Sequence, residues 1–228
     1  MEYNYNLKPI AKIYTDFDEK FGIPRQSGRV GSLFGRIVFE PEFRNPDAVR
    51  GLEEFNYIWL IFDFSLSHRA TFSPTVRPPR LGGNKRTGVF ATRSPFRPNN
   101  LGLSSVKLER IERTNEGVCL IVSGIDILNG TPIFDIKPYI PYADCHTDAT
   151  EGFTEETKNH ALKVEFPKDL LNIIPEEKRR AIIDCLSDDP RPSYTEDGKF
   201  FRMKFSSFDI EFYVYGDNLT VKKVTPLR

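Results

Sequence analysis

Brevity of the apolar runs constrains this chain more than any other feature. Branched and aromatic residues gather in short stretches: Ile10 to Thr15, Gly35 to Glu40, Tyr57 to Leu66, Thr87 to Thr92, Leu103 to Ile111, Val118 to Ile125 and Ile133 to Tyr139. Within one of them Val118, Leu120 and Val122 fall on one face, the period of a strand. Many short strands, regularly interrupted, fold into a closed or nearly closed β-barrel. The one helical candidate here is Pro46 to Glu53, with Asn45 as N-cap and Pro46 at the first helical position. The longest apolar stretch, Tyr57 to Phe62, is far short of the roughly 20 residues of a membrane helix.

A second unit follows from about Asp148. Residues 148–160 are polar and suit a linker, and Lys163 to Phe166 reads as a strand. Pro175 to Leu186 carries a helix signature: Pro175 opens it, Glu176 and Glu177 load the first turn, and Ala181, Ile182, Cys185 and Leu186 make an apolar face. Phe200 to Phe205 and Phe208 to Tyr215 alternate as strands, and Gly216-Asp217-Asn218 turns the chain into a last strand around Val221. The expected fold is therefore mainly β: an N-terminal β-barrel over residues 5–147 and a smaller C-terminal α+β domain over 148–228.

With 28% charged and 39% hydrophobic residues, the 228-residue chain reads as folded rather than disordered. Met1 to Lys8 is polar and has no apolar core of a secretory signal. Cys119, Cys145 and Cys185 are odd in number and widely spaced, so a reducing compartment, the cytoplasm, is expected. His68, His146 and His160 are too scattered for a metal motif, and no metal and no membrane association are expected.

Thirty-two basic residues balance 32 acidic ones, but the distribution is uneven. The 45 residues from Phe64 to Leu108 contain no Asp or Glu and hold Arg69, Arg77, Arg80, Lys85, Arg86, Arg93, Arg97 and Lys107. Such a block is the electrostatic footprint of a phosphate-binding surface, with Arg77, Arg80, Lys85, Arg86 and Arg97 as its candidate nucleic-acid contacts. There is no G-x-G, no P-loop and no G-x-S-x-G elbow, so a nucleotide-like cofactor would have to be held by loops on a β-scaffold.

Three segments are rich in Pro and Gly. Phe21 to Gln26 is the first. The second holds V-R-P-P-R-L-G-G-N from Val76 and G-V-F-A-T-R-S-P-F-R-P-N from Gly88. The third runs N-G-T-P-I-F-D-I-K-P-Y from Asn129 to Tyr139. In that order, these strings resemble the tRNA N6-threonylcarbamoyladenosine N6-methyltransferase family, a β-barrel type dependent on S-adenosylmethionine. Asp189-Pro190-Arg191-Pro192-Ser193-Tyr194 is similar to that family's C-terminal domain. The chain departs from the family at Asn129, usually Asp, and at Asn100, usually Pro.

The resemblance implies methyl transfer to N6 of the modified adenosine just 3′ of the anticodon, in tRNAs that read threonine codons. It also implies a homodimer with the cofactor site near the subunit interface. Matched by position, the S-adenosyl-L-methionine loops are Arg25, Gln26 and Ser27; Ser65 and Leu66; Arg93; Leu103; and Asp126, Ile127, Leu128, Asn129, Gly130 and Thr131. Removal of the N6 proton calls for a general base. Asp126, Asp135 and Tyr139, near the third segment, are the candidates. Arg93, expected just after a strand over Thr87 to Thr92, is the candidate for a bidentate grip on a carboxylate. The alternative is a non-catalytic RNA-binding barrel that uses the same basic loops.

Overall fold

A computed structural model describes residues 6–78, 85–115, 117–158, 160–192, 195 and 197–227. Its strands are β1 (Ala11–Tyr14), β2 (Phe34–Phe39), β3 (Tyr57–Asp63), β4 (Thr75–Val76), β5 (Thr87–Gly88), β6 (Leu101–Thr114), β7 (Gly117–Ser123), β8 (Thr131–Pro138), β9 (Lys163–Glu165), β10 (Lys199–Phe205), β11 (Phe208–Tyr215) and β12 (Asn218–Pro226). Six of them close a barrel in the order β1-β2-β7-β6-β3-β8, every pairing antiparallel. Closure leaves the barrel no free edge.

Alternation fills the barrel. Ala11 and Ile13, Ile37 and Phe39, Ile58, Leu60 and Phe62, Val106 and Leu108, and Leu120 and Val122 all point inward and are buried. β7 is buried on both faces, since Cys119 and Ile121 are covered as well. β3 pairs with β6 so that Phe62 lies opposite Gly102. A Cβ on Gly102 would come within 2.3 Å of the Phe62 ring. Glycine at that position lets the ring lie flat against the next strand.

The second sheet has the order β10-β11-β12-β9, with β9 parallel to β12. The α-helix α1 (Pro141–Asp144) ends the barrel segment, and α2 (Lys168–Leu171) and α3 (Glu176–Ser187) pack on the second sheet. α3 buries Ala181, Ile182, Cys185 and Leu186, the face expected from the sequence. The two sheets share one continuous apolar core. The Phe17 ring meets Phe205 edge-on at 5.6 Å, and Phe21 stacks on Phe201 and Phe212. Gly22, at φ +96°, leaves the space that the Met203 side chain occupies.

Two local expectations change. Pro46 to Glu53 is not one helix but two 3-10 turns, Pro46–Val49 and Leu52–Glu54, parted by Gly51 at φ +85°. Asn45 still caps the first, accepting the Asp47 N–H at 3.0 Å. Thr87 to Thr92 is not one strand: β5 pairs for two residues with β4, and Val89–Ala91 is a 3-10 turn. The Val89 N–H binds the Pro74 carbonyl and the Thr92 N–H returns to the Val89 carbonyl, so the backbone curls instead of extending.

Substituting Gly102→Ala should lower stability by about 1–3 kcal/mol, the usual cost of overpacking a fixed aromatic neighbour. Urea unfolding checks this, and Phe62→Leu in the same chain should recover part of the loss.

Candidate active site

A cleft of about 590 Å³ opens where β3 ends, β6 begins and the turn before β8 passes. Three connections wall it: the β1–β2 segment with Ile23 to Gln26, the β3–β6 segment with Phe64 to Ser67 and Thr92 to Arg97, and Asp126 to Leu128. Phe62 and Gly102 lie on it, so their close packing shapes the site.

Of the residues expected to hold the cofactor, Arg25, Gln26, Ser65, Leu66, Arg93, Leu103, Asp126, Ile127, Leu128 and Thr131 line this cleft together. Leu103 faces outward and is exposed, not packed in the core. Arg93 donates to the Gln26 side-chain oxygen, joining the first and second segments. Ser27, Asn129 and Gly130 stand behind the lining. The Asn129 Oδ1 accepts the Thr15 N–H at 3.0 Å, and its Nδ2 donates to Asp18 at 2.8 Å. Gly130, at φ +75°, donates its N–H to the Ile13 carbonyl at 2.8 Å.

The three base candidates are not together. Asp126 lines the cleft. Asp135 is on β8, ion-paired with Lys137 at 3.0 Å and accepting the Ile136 N–H. Tyr139 follows β8 and packs on Trp59 at 5.5 Å and on Tyr57 at 6.3 Å, with burial and the neighbouring Cys145 and Asp144 raising its pKa.

Asp126 is half-buried, and its Oδ1 accepts the Ser104 hydroxyl at 2.7 Å. Burial pushes its carboxyl above the ordinary aspartate range. The Ser104 hydroxyl, the backbone N–H groups of Asp126 and Ser27, and the Arg93 charge oppose that shift without cancelling it. Ser27 thus serves the site through its backbone. Ser104 was not among the expected site residues. Its signal is a polar residue at an inward position of β6, between Gly102 and Val106.

Lys20 and Asp63 also line the cleft and were not among the expected site residues. Lys20 donates to the Leu66 carbonyl at 2.7 Å and to the Ser67 hydroxyl at 2.9 Å; burial and Arg69 lower its pKa. Asp63 accepts from His68 at 2.7 Å. Arg25 donates to the Arg191 carbonyl of the second unit. Arg191 is buried and grips Asp189 through Nε at 2.8 Å and Nη2 at 3.0 Å. Burial works against the Asp189 charge, but Arg191 and His160 hold its carboxyl below the usual range.

The expected RNA contacts divide. Arg77, Lys85 and Arg86 are exposed, and Arg86 also donates to Thr75 at 3.1 Å. Arg97 is half-buried in the cleft wall and donates to the carbonyls of Val89 and Thr92 at 3.2 and 2.7 Å. Arg80 lies outside the described residues. Cys119, Cys145 and Cys185 are free thiols. Among the described residues no cluster of His, Cys, Asp or Glu could hold a metal ion, and no helix is long and apolar enough to cross a membrane.

Residues 12–145 match the tRNA-methyltransferase O N-terminal domain, and residues 159–227 match the TrmO C-terminal domain. The chain belongs to the tRNA-methyltransferase O family. It is 36% identical to the tRNA (adenine(37)-N6)-methyltransferase of Escherichia coli K12, over 98% of this chain and 99% of that protein. It is 38% identical to a Pseudomonas aeruginosa protein named a putative S-adenosylmethionine-dependent methyltransferase, over 92% of each. A crystal structure of TrmO from P. aeruginosa superposes with a TM-score of 0.81 at 32% identity, covering 99% of both chains.

The raised pKa of Asp126 sets a pH dependence. Between the unfolded value, about 3.9, and the raised folded one, the folded chain binds more protons, so ionisation of Asp126 costs stability as pH rises. Asp126→Asn removes that cost and keeps an acceptor for Ser104. The variant should therefore gain on the parent as pH climbs through this window and hold its advantage above it. Urea midpoints of both proteins across pH measure the difference; a parent that gains on the variant would mean that the site favours the charge.

Proposed function

We propose that this protein transfers a methyl group from S-adenosylmethionine to N6 of threonylcarbamoyladenosine beside the anticodon of threonine tRNAs. The carrying observation is the single cleft in which Arg25, Gln26, Arg93 and Asp126 converge, in a chain of this family. The cleft fits the cofactor's chemistry. Ile23, Leu66, Leu103 and Leu128 offer apolar walls for a base. Arg93 and Arg25 offer forks for a carboxylate. Asp126 supplies negative charge for a cation. S-adenosylmethionine brings an already activated methyl group, so positioning matters most.

Asp126 is the base in this reading. Of the three candidates it is the one on the cleft, and a raised pKa brings a carboxylate nearer the pH at which it must accept a proton. Ser104 and the Ser27 N–H fix its orientation. Arg93, braced by Gln26, holds a carboxylate of the cofactor or of the threonyl group. Arg77, Arg80, Lys85 and Arg86 receive tRNA phosphates, so binding should weaken steeply with salt.

The protein acts as a homodimer in the cytoplasm. Support for the dimer is the exposed apolar surface of Tyr57, Leu101 and Leu103 beside Trp59, next to the cleft and larger than a lone exposed residue would make. Free thiols suit a reducing compartment.

Labelled S-adenosylmethionine incubated with total tRNA, followed by nucleoside analysis, tests the activity. Label in methylated threonylcarbamoyladenosine is the expected result. Binding of tRNA without label would favour the non-catalytic barrel. Arg93→Lys keeps the charge but loses the fork, a loss of roughly 1.5–3 kcal/mol, and should lower kcat/KM about ten- to a hundredfold with the fold intact.

A further inference from the structure

Beside the cleft, the connection between β3 and β6 holds a second recess of about 250 Å³. Arg69, Phe72, Phe96 and Arg97 line it, and Ser67 and Arg97 belong to both hollows, so the two adjoin. At its rim the rings of Phe72 and Phe90 stack with centroids 6.3 Å apart and planes 26° from parallel. Phe90 is 71% exposed and Phe72 55%.

The Phe90 ring is firmly mounted. Phe90 sits at the crest of the Val89–Ala91 turn, and Val89 beneath it is buried. The Thr92 hydroxyl donates to the Val89 carbonyl at 2.8 Å, and Arg97 bridges the carbonyls at both ends of the turn. A phenylalanine held in water on a braced turn gains nothing for the core. It does present a flat apolar face with little entropy left to lose on binding.

The surroundings are cationic. Arg69 lies over the Phe96 ring at 3.5 Å, and Arg97 stands 5.7 Å from the Phe90 ring. Arg77, Lys85 and Arg86 are exposed on the same connection, which has no acidic residue in its sequence. Flat aromatic faces among fixed cations suit unpaired nucleotides: every base has a face to stack, and every phosphate a charge to neutralise.

We propose that Phe90, backed by Phe72, is a stacking platform for one unpaired base of the RNA loop, next to the base that enters the cleft. The inference rests on the proposed function for the identity of the RNA. Stacking fixes the loop so that the target base alone reaches Asp126, while Arg69 and Arg97 stabilise the recess side of the stack. Base–aromatic stacking is tolerant of sequence, so the platform positions the loop rather than reading it.

The test measures binding apart from turnover. The probe is a synthetic anticodon stem-loop of a threonine tRNA, titrated into the full chain. Phe90→Ala should weaken binding about tenfold, a typical loss for one stacked base. Phe90→Trp should bind as the parent does and gain a tryptophan signal that the RNA quenches. Calorimetry should show S-adenosylmethionine affinity unchanged in both. Equal RNA affinity of parent and Phe90→Ala overturns the proposal. So does a change in oligomeric state of Phe90→Ala by sedimentation, which would make this surface a subunit contact. A parent that binds the stem-loop but methylates no tRNA would sink the proposed activity and leave the platform standing.

Discussion

Clamping of the β1–β2 connection between the barrel and the second sheet is the constraint on which the cleft depends. This segment leaves β1 at Tyr14 and must carry Ile23 to Gln26 to the cleft wall. It is too long and too polar to order itself. Phe17 and Phe21 bury their rings against Phe205, Phe201 and Phe212, and Asp16 accepts the Ser206 N–H at 2.7 Å while pairing with Lys178. Farther along, Arg29 pairs with Asp188, and the Ser32 hydroxyl donates to Asp184 at 2.7 Å. Burying two aromatic rings offsets several kcal/mol of ordering cost. The second unit is thus part of the site's scaffold, and the Arg25 to Arg191 hydrogen bond carries that support to the lining itself.

The same logic explains where polarity is tolerated in the core. Ser104 occupies an inward position where its neighbours are Gly102, Val106 and Leu108. A hydroxyl there would cost stability if it lacked a partner. Its partner is the half-buried Asp126 carboxylate, so the two polar groups satisfy each other at the point where the barrel opens. The residual imbalance is the raised pKa, which burial causes and which the proposed role of Asp126 as proton acceptor would use.

Much of this was legible in the sequence, for physical reasons. Strand positions follow from period-two burial, which is local: Phe208, Ile210, Phe212 and Val214 alternate inward as their spacing requires. The α3 face was legible likewise. Thr87 to Thr92 misled because β-prone residues form a strand only with a partner, and β4 offers two residues of pairing. Arg93 therefore follows a turn rather than a strand. Nor could spacing alone separate Asp126 from Asp135. They lie on one short segment, but β8 turns Asp135 toward Lys137 on the barrel's outside. Lys20 and Arg191 enter the site's surroundings through contacts between distant segments, which no local pattern encodes.

The two departures from the family's usual strings obey the same rule of loop order. At 129 an aspartate could still accept the Thr15 N–H, but it could not donate to Asp18 and would face it with like charge. Asparagine supplies both halves of the tie, so position 129 fastens the turn to β1. At 100 a proline would stiffen the loop through its ring. Asn100 reaches the same end by donating to the Pro95 carbonyl at 2.7 Å and the Ser67 carbonyl at 3.2 Å, pinning the loop that leads into β6. Both amides act behind the lining, where what matters is that the loop be held. Among the lining residues the carboxyls are then those of Asp63 and Asp126, and the Ser104 hydroxyl and the Ser27 N–H orient the second.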